Sequence, residues 1–228
     1  MTELPEFKIK RHARARHLRV RVYLDHIDVL VPARCAQREV KQFIDQSMGW
    51  IVSTWQQKKQ HMLSQAQRPS CLLLFNSELP IQVHYQAQKK LFVFSEQAHT
   101  VYLNEEHATL GLLHFILAYA KQHLPHVLQQ MSQQIGIEYQ HSQIRFAKSR
   151  WGSCNTQHKI MLNAALVLVP MTLVRYVCIH ELAHVQHFNH SAQFWSLVGT
   201  FDHEFMQHKQ QLQQFEWPYW LLTQLNYV

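Results

Sequence analysis

The sequence predicts an α+β fold, and two patterns along the chain carry this prediction. Short apolar runs divided by polar turns fill most of the first half, as in the strands of small sheets. Longer segments with apolar residues at helical spacing dominate the second half. Because the change falls between Asn104 and Leu110, we expect a β-rich N-terminal domain with a basic surface over residues 1–106 and a more helical domain over residues 107–228.

One helix is expected among the strands of the N-terminal domain. Residues 18–24 alternate apolar and basic side chains, which is the period of a half-buried strand. Residues 37–60 have helical spacing, and Gly49 is expected to break this helix. The remaining predicted strands are residues 27–31, 72–75, 81–85, 91–94 and 101–103.

The second domain is predicted to alternate helices with two strands. A long helix over residues 111–135 is expected to be interrupted or bent at Pro125 and to end at Gly136. Strands are predicted over residues 143–147 and 160–169, with a loop or tight hairpin over residues 148–159 between them. A helix over residues 171–188 should end at Asn189 in a left-handed conformation, and Ser191 should cap the next helix.

Composition favours a soluble intracellular protein. The 228 residues are 47% hydrophobic, which allows a sizeable core, and the formal charge of +7 suits an anionic partner. Four scattered cysteines are typical of reduced thiols rather than of a disulfide framework. The N-terminal residues lack the apolar stretch of a secretory signal, and no run is long enough to span a membrane. We therefore expect a cytoplasmic location.

Residues 180–184 read His-Glu-Leu-Ala-His and are the most informative motif of the chain. Two histidines four residues apart on a helix share one face, so their imidazoles can bind one metal ion. Glu181 then lies beside the metal, where it can take a proton from bound water. Because the chain contains 18 histidines, this motif needs support from its surroundings.

The third metal ligand has two candidates in the sequence. His187 falls on nearly the same helical face as His180, but about a turn further along the axis. His190 can return to the metal from another direction if the chain turns at Asn189, and it is the favoured ligand. Three protein ligands and an open position are typical of catalytic Zn²⁺, which is the expected cofactor.

Several further residues are candidates for supporting roles. Arg150, Asn163 and His203 are candidates for substrate binding or transition-state stabilisation. Asp202 is a candidate to hold a metal-bound histidine through its second ring nitrogen.

Four motifs in order resemble the YgjP-like metallopeptidase family, which is similar to the SprT-like proteases. They are Arg-Trp-Gly-Ser-Cys at residues 150–154, Leu-Asn at 162–163, the histidine motif at 180–184, and Asn-His-Ser followed by Phe-Trp at 189–195. The resemblance implies a zincin-like catalytic domain with His180, His184 and His190 as ligands and Glu181 as base. It also implies that a strand beside the active-site helix aligns extended substrate, with residues 160–169 in or near that sheet, and that the loop containing Trp151 and Gly152 packs against the helix.

A basic N-terminal region is the main feature outside the metal motif. Its cations are Lys8, Lys10, Arg11, Arg14, Arg16, Arg19 and Arg21. Clustered cations bind nucleic acid electrostatically, although alternating arginines are also the ordinary solvated face of a small sheet.

Three functions therefore stay open at the level of sequence. The favoured one is a zinc-dependent peptidase acting on a polypeptide. The second is a metal-dependent nucleoside triphosphate pyrophosphatase, in which Arg145, Lys148 and Arg150 bind phosphates. The third is a basic nucleic-acid-binding protein with a non-catalytic metal site.

Overall fold

The computed structural model describes residues 4–13, 15–65, 68–218 and 220–221. Their strands are β1 (Glu6–His12), β2 (Arg19–Val22), β3 (His26–Pro32), β4 (Cys71–Leu72), β5 (Ile81–Gln86), β6 (Phe92–Ser95), β7 (Thr100–Asn104), β8 (His141–Arg145), β9 (Gly152–Cys154) and β10 (Lys159–Asn163). Their α-helices are α1 (Gln37–Gln65), α2 (Ala108–Ile135), α3 (Met171–Gln186), α4 (Ala192–Phe201) and α5 (Phe205–Gln214). This mixed content confirms the predicted α+β class.

The chain divides into two compact units, Met1–Gln67 and Arg68–Val228. In the first unit, β3 lies between β1, which is parallel to it, and β2, which is antiparallel. Alternate residues of β3 are buried, and the helix α1 contributes Ile51 and Trp55 to a core that contains Ile27 of β3. The Trp55 indole also donates a hydrogen bond to the Leu24 carbonyl at 3.2 Å.

Two features of the first unit differ from the sequence prediction. Helix α1 continues through Gly49, because the buried residues on either side of it hold the helix against the sheet. A helical glycine costs only about 1 kcal/mol, which such packing can offset. Strand β1 is an additional element, and its exposed polar residues give no clear alternation because it lies at the edge of the sheet.

The second unit is built around helix α2. A four-stranded sheet in the order β4-β5-β7-β6 contributes apolar side chains to the core around this helix. A three-stranded sheet in the order β8-β10-β9 contributes to the same core, as does helix α3. Fully buried Leu112, Ile116 and Leu128 of α2 lie within this single apolar cluster.

Because of this shared core, the division between the two compact units does not coincide with the predicted domain boundary of 106/107. Leu72, Val83 and Leu103 belong to the same apolar cluster as α2 and α3. The strands from β4 to β7 therefore fold with the helical unit, and the division lies at 67/68 instead.

Within the second unit, α2 continues without interruption through Pro125, where an interruption or a bend was predicted, and ends as predicted at Gly136 with φ of 70°. The segment 148–159 contains β9, which pairs antiparallel with β10 as a hairpin. The strand predicted over residues 160–169 ends early, because the Asn163 side chain accepts a hydrogen bond from the Ala165 amide and starts a 3₁₀ turn over Ala164–Leu168. Helix α5 is an additional element. Among the described residues, no helix is long and apolar enough to cross a membrane.

Candidate metal centre

Helix α3 directs the two histidines of the motif to one side, while residues on its other faces enter the core. Val174, Cys178 and Leu182 are fully buried on this helix. His180 and His184 lie one turn apart on the same side, and their ring centroids are 4.9 Å apart. The predicted pairing of these two side chains therefore follows from helical geometry.

The chain turns back toward the helix immediately after α3. His187 ends the helix with an extended backbone, φ −134° and ψ 98°, and a bend follows over residues 188–189. The predicted left-handed Asn189 is wrong, since the described non-glycine residues with positive φ are His99 and His158. Ser191 caps α4 as predicted, accepting a hydrogen bond from the Phe194 amide. His190 thus lies in a short connection fixed at both ends.

This turn brings three imidazoles together. One ligand atom from each of His180, His184 and His190 lies within 4.8 Å of the others. The Nε2 atoms of His180 and His190 are 3.1 Å apart. Bonds of 2.0–2.1 Å to a tetrahedral zinc ion would place two nitrogens about 3.3 Å apart, so the spacing fits a shared metal.

One aromatic side chain packs against all three imidazole rings. Phe194 of α4 is fully buried, and its ring centroid lies 4.9 Å from that of His180, 4.6 Å from that of His184 and 4.8 Å from that of His190. The fixed rings need little reorganisation to bind an ion.

Burial favours the neutral, metal-binding form of His180 and His184. Burial, reinforced by His184, His190 and Lys209, lowers the pKa of His180 to about 3. Burial also lowers the pKa of His184, although a hydrogen bond to the His187 carbonyl opposes the shift. That bond joins His184 Nδ1 to the carbonyl oxygen at 3.0 Å, which leaves Nε2 available for a metal. His187 therefore contacts the site through its main chain.

Glu181 is the buried acid of the site. Its side chain is 5% exposed, and its Oε2 has no hydrogen-bond partner among the described residues. Burial raises its pKa to about 8, while the nearby Arg150 guanidinium opposes the shift. An unpartnered carboxyl group beside three imidazoles is a donor set that fits a divalent cation with an associated water.

His180, His190 and Glu181 line a cleft of about 720 Å³. Sequence reasoning identified Arg150 but missed other lining residues that come from separate helices: Tyr176, Trp195 and Lys209. Tyr176 lies four residues before His180, so the same helical spacing could have revealed it. Its ring contacts that of His180 edge-on at 5.9 Å, and burial raises the pKa of its hydroxyl to about 12. Tyr176 is therefore a neutral donor at any physiological pH.

The family model for the YgjP-like metallopeptidase domain matches residues 16–215. The chain belongs to the YgjP-like metallopeptidase family. Solved structures similar to it include two metallopeptidase zymogens, jannalysin of Methanocaldococcus jannaschii and abylysin of Pyrococcus abyssi. The first is 18% identical, with 40% of this chain and 94% of that chain covered and a TM-score of 0.36. The second is 23% identical, with 39% and 90% covered and a TM-score of 0.36. No curated protein matches.

Two predicted supporting residues lie away from the metal ligands of this YgjP-like domain. Asp202 was expected to hold a metal-bound histidine, but its Oδ2 binds His208 Nδ1 at 2.7 Å instead. His180 Nδ1 is buried and has no partner in the described chain. His203 is exposed and does not line the cleft. Both residues lie in the short connection between α4 and α5, and Asp202 faces α5 instead of the metal ligands.

Asn163, the third candidate for substrate binding, holds the surrounding main chain in place. It is fully buried, and its Nδ2 donates to the carbonyls of Ala147 and Arg150, each at 2.8 Å. Its Oδ1 accepts from the Ala165 amide at 3.1 Å. With its amide fully engaged, Asn163 holds the loop that carries Arg150 rather than facing the cleft.

The family loop containing Gly152 packs directly on Glu181, as the resemblance implied. A Cβ at residue 152 would lie 2.5 Å from Glu181 Oε1 and 2.7 Å from its Cγ. Only glycine therefore leaves room for the acid in this position. Trp151 stacks on Trp217 at 4.6 Å and anchors the loop from the other side.

Replacing Gly152 by Ala is expected to lower the catalytic rate by roughly 100-fold, since displacement of a catalytic group by about 1 Å has an effect of this size. Metal content should be unchanged, because no ligand moves. The check is kcat with metal content measured on the same sample. Gly49→Ala is the matched control, since its Cβ meets no atom within 4 Å. Unchanged kcat in Gly152→Ala would show that the close contact does not position Glu181.

Proposed function

We propose that this metallopeptidase-family protein is a zinc-dependent peptidase that uses Glu181 as general base. The supporting observation is the convergence of His180, His184 and His190 beside a buried, unpartnered carboxylate in an open cleft. Three imidazole ligands suit Zn²⁺, and a catalytic site keeps a fourth position for water or substrate. When bound, the metal supplies Lewis acidity that polarises a carbonyl group and acidifies water.

Glu181 moves the proton in this proposal. Its burial favours the protonated form, whereas a neighbouring divalent cation favours ionisation. The ionised carboxylate accepts a proton from the attacking water, and the resulting acid donates it to the leaving amine. Gly152 holds the carboxyl group against its backbone, which restricts the orientations available to the base.

Two cleft residues are suited to stabilise the developing negative charge. Tyr176 offers a neutral hydroxyl donor beside His180, and Arg150 offers a guanidinium near Glu181. Donors fixed before the reaction stabilise charge more effectively than donors that must reorient. We assign the two as transition-state candidates in place of Asn163 and His203.

An edge strand beside the cleft is suited to align the substrate. β9 pairs with β10 on one side only, and its Gly152 lies against Glu181 of α3. An extended peptide can add to such an edge through main-chain hydrogen bonds. We therefore assign the aligning role to β9, whose partner β10 begins the segment 160–169 that the resemblance placed in or near this sheet.

The alternative pyrophosphatase function receives less support from the cleft. Of its three proposed phosphate-binding residues, Arg150 alone lines the metal cleft, whereas Arg145 and Lys148 line a separate groove with Lys121. A purely structural metal site is also less favoured, because structural zinc is normally closed by four protein ligands.

The test is incubation of the purified, zinc-loaded chain with a peptide library and, separately, with nucleoside triphosphates. We expect new peptide termini by mass spectrometry and intact triphosphates. A chelator should stop cleavage, and re-addition of zinc should restore it. Metal-dependent release of pyrophosphate without peptide cleavage would contradict the proposal and favour the alternative.

A further inference from the structure

Net charge is very unevenly divided between the two units. The segment 1–67 contains 12 of the 22 Lys and Arg residues and 6 of the 15 Asp and Glu residues, which gives +6. The remaining 10 basic and 9 acidic residues give the rest of the chain +1. Less than a third of the protein thus carries nearly all of its net charge of +7, which favours an anionic partner for this unit.

Strand register places part of this charge on one face of the first unit. Lys8 of β1 and Arg21 of β2 both pair with Asp28 of β3, while Lys10 and Arg19 both pair with Leu30. Directly paired residues point to the same side of a sheet, so these four exposed cations share one side. We call Lys8, Lys10, Arg19 and Arg21 the cationic face. Two residues on the same side of one strand are about 7 Å apart, and the two outer strands, β1 and β2, are about 10 Å apart.

Most charges of the cationic face are available to a ligand. Lys10 forms a salt bridge with Asp28 at 2.7 Å. Among the described residues, Lys8, Arg19 and Arg21 form no salt bridge. Asp28 therefore neutralises Lys10, and Lys8 also interacts electrostatically with the exposed Asp25 without forming a salt bridge. Lys8, Arg19 and Arg21 remain for an outside partner.

An aromatic pair lies on the same side of the sheet. Tyr23 follows β2 in phase with Arg19 and Arg21, and its amide bonds the His26 carbonyl at 2.9 Å. The rings of Tyr23 and His26 stack with centroids 4.5 Å apart and an interplanar angle of 15°. Tyr23 is 38% exposed, so part of its ring is open to a further stacking partner.

We propose that the cationic face, with Tyr23, binds single-stranded nucleic acid. Cations along a flat surface contact the phosphate backbone, and an aromatic ring at its end stacks on an unpaired base. A membrane fits less well, because interfacial binding needs apolar side chains beside the cations. The exposed apolar Trp50 is on α1, which packs on the opposite side of the sheet, and Ile9 alternates with Lys8 and Lys10 toward that side. Arg14 of the basic region lies outside the described residues.

The experiment measures binding of the full chain to a fluorescent 20-nucleotide oligo(dT) by anisotropy across a range of salt concentrations. The test variant combines Lys8→Gln, Arg19→Gln and Arg21→Gln. The matched control combines Arg38→Gln, Lys41→Gln and Lys58→Gln, which removes the same charge from exposed positions of α1. We expect at least a 10-fold loss of affinity for the test variant and less than a 3-fold loss for the control.

Salt dependence and stacking give two independent readouts. Loss of three phosphate contacts should flatten the slope of log K against log salt by about 2, since each contact contributes about 0.7 for single strands. Tyr23→Ser should weaken binding at least 5-fold, whereas Tyr23→Phe should retain it. Equal losses in the test and control variants, no binding by the parent, or tighter binding of a duplex would overturn the proposal. Binding of phosphatidylserine vesicles in place of the oligonucleotide would also overturn it.

Discussion

Replacing Glu181 by Gln should lower kcat for peptide cleavage by roughly 1,000-fold while leaving zinc content unchanged. The amide preserves the shape of the side chain but cannot accept the proton of the attacking water, and general-base catalysis contributes about 10²–10⁴-fold. The measurement is kcat of the zinc-loaded variant against a peptide substrate of the parent, with zinc determined on the same preparation. Glu138→Gln, which alters an exposed acid of the same unit, is the control.

The same substitution should stabilise the metal-free protein at neutral pH. Burial raises the pKa of Glu181 from 4.5 to about 8, so the folded state binds its proton more tightly than the unfolded state does. The stabilisation of the folded state that results from this tighter proton binding is fully present below about pH 4.5. It is lost as the pH rises toward 8, because the carboxyl group ionises first in the unfolded state. After chelation, the Tm of Glu181→Gln should exceed that of the parent by about 4 °C or more at pH 8.

The kcat and Tm measurements report separately on the catalytic role of Glu181 and on the effect of its burial on stability. At pH 5 the difference in Tm between parent and variant should be much smaller than at pH 8. Turnover retained within 10-fold would remove Glu181 as the base. A difference in Tm that does not change with pH would instead contradict the raised pKa.

Replacing His190 by Ala should weaken zinc binding by roughly 100-fold or more. His190 contributes one of three converging nitrogens, and loss of a residue that merely orients a ligand already costs about 10–100-fold. His187→Ala should leave the affinity within about 3-fold, since His187 contacts His184 through its main-chain carbonyl. The measurement is competition for zinc against a chromophoric chelator.

This pair of variants distinguishes the two candidates for the third ligand. Both histidines precede α4 and are removed by the same substitution, so a general effect on folding should appear in both. Loss of zinc affinity in His187→Ala, with retention in His190→Ala, would reverse the assignment.

Long-range packing decided the features that sequence reasoning missed or placed wrongly. Asp202 was a candidate to hold a metal-bound histidine, but α5 brings His208 within 2.7 Å of it. Arg145 and Lys148 are close to Arg150 in sequence, yet they line another groove because β8 and β9 lie on opposite sides of β10. Neither relation has a local periodicity that could reveal it.

Long-range packing also determines where the boundary between the two units lies. Composition changes near residue 106, where strands give way to a long helix. Apolar side chains of β4, β5 and β7 nevertheless enter the core of α2 and α3, so the compact unit begins at Arg68. A change of secondary structure is a local property, whereas the extent of a core depends on which faces meet.

The sequence by itself determined the α+β class, the family and the spacing of His180 and His184 on one helix. These are properties of local periodicity and ordered motifs, which a linear chain displays directly. Only the tertiary structure decided that Gly152 lies against Glu181, that Tyr176, Trp195 and Lys209 share its cleft, and that four cations meet on one side of the first sheet. These contacts join residues distant in the chain, and strand register and helix packing alone bring them together.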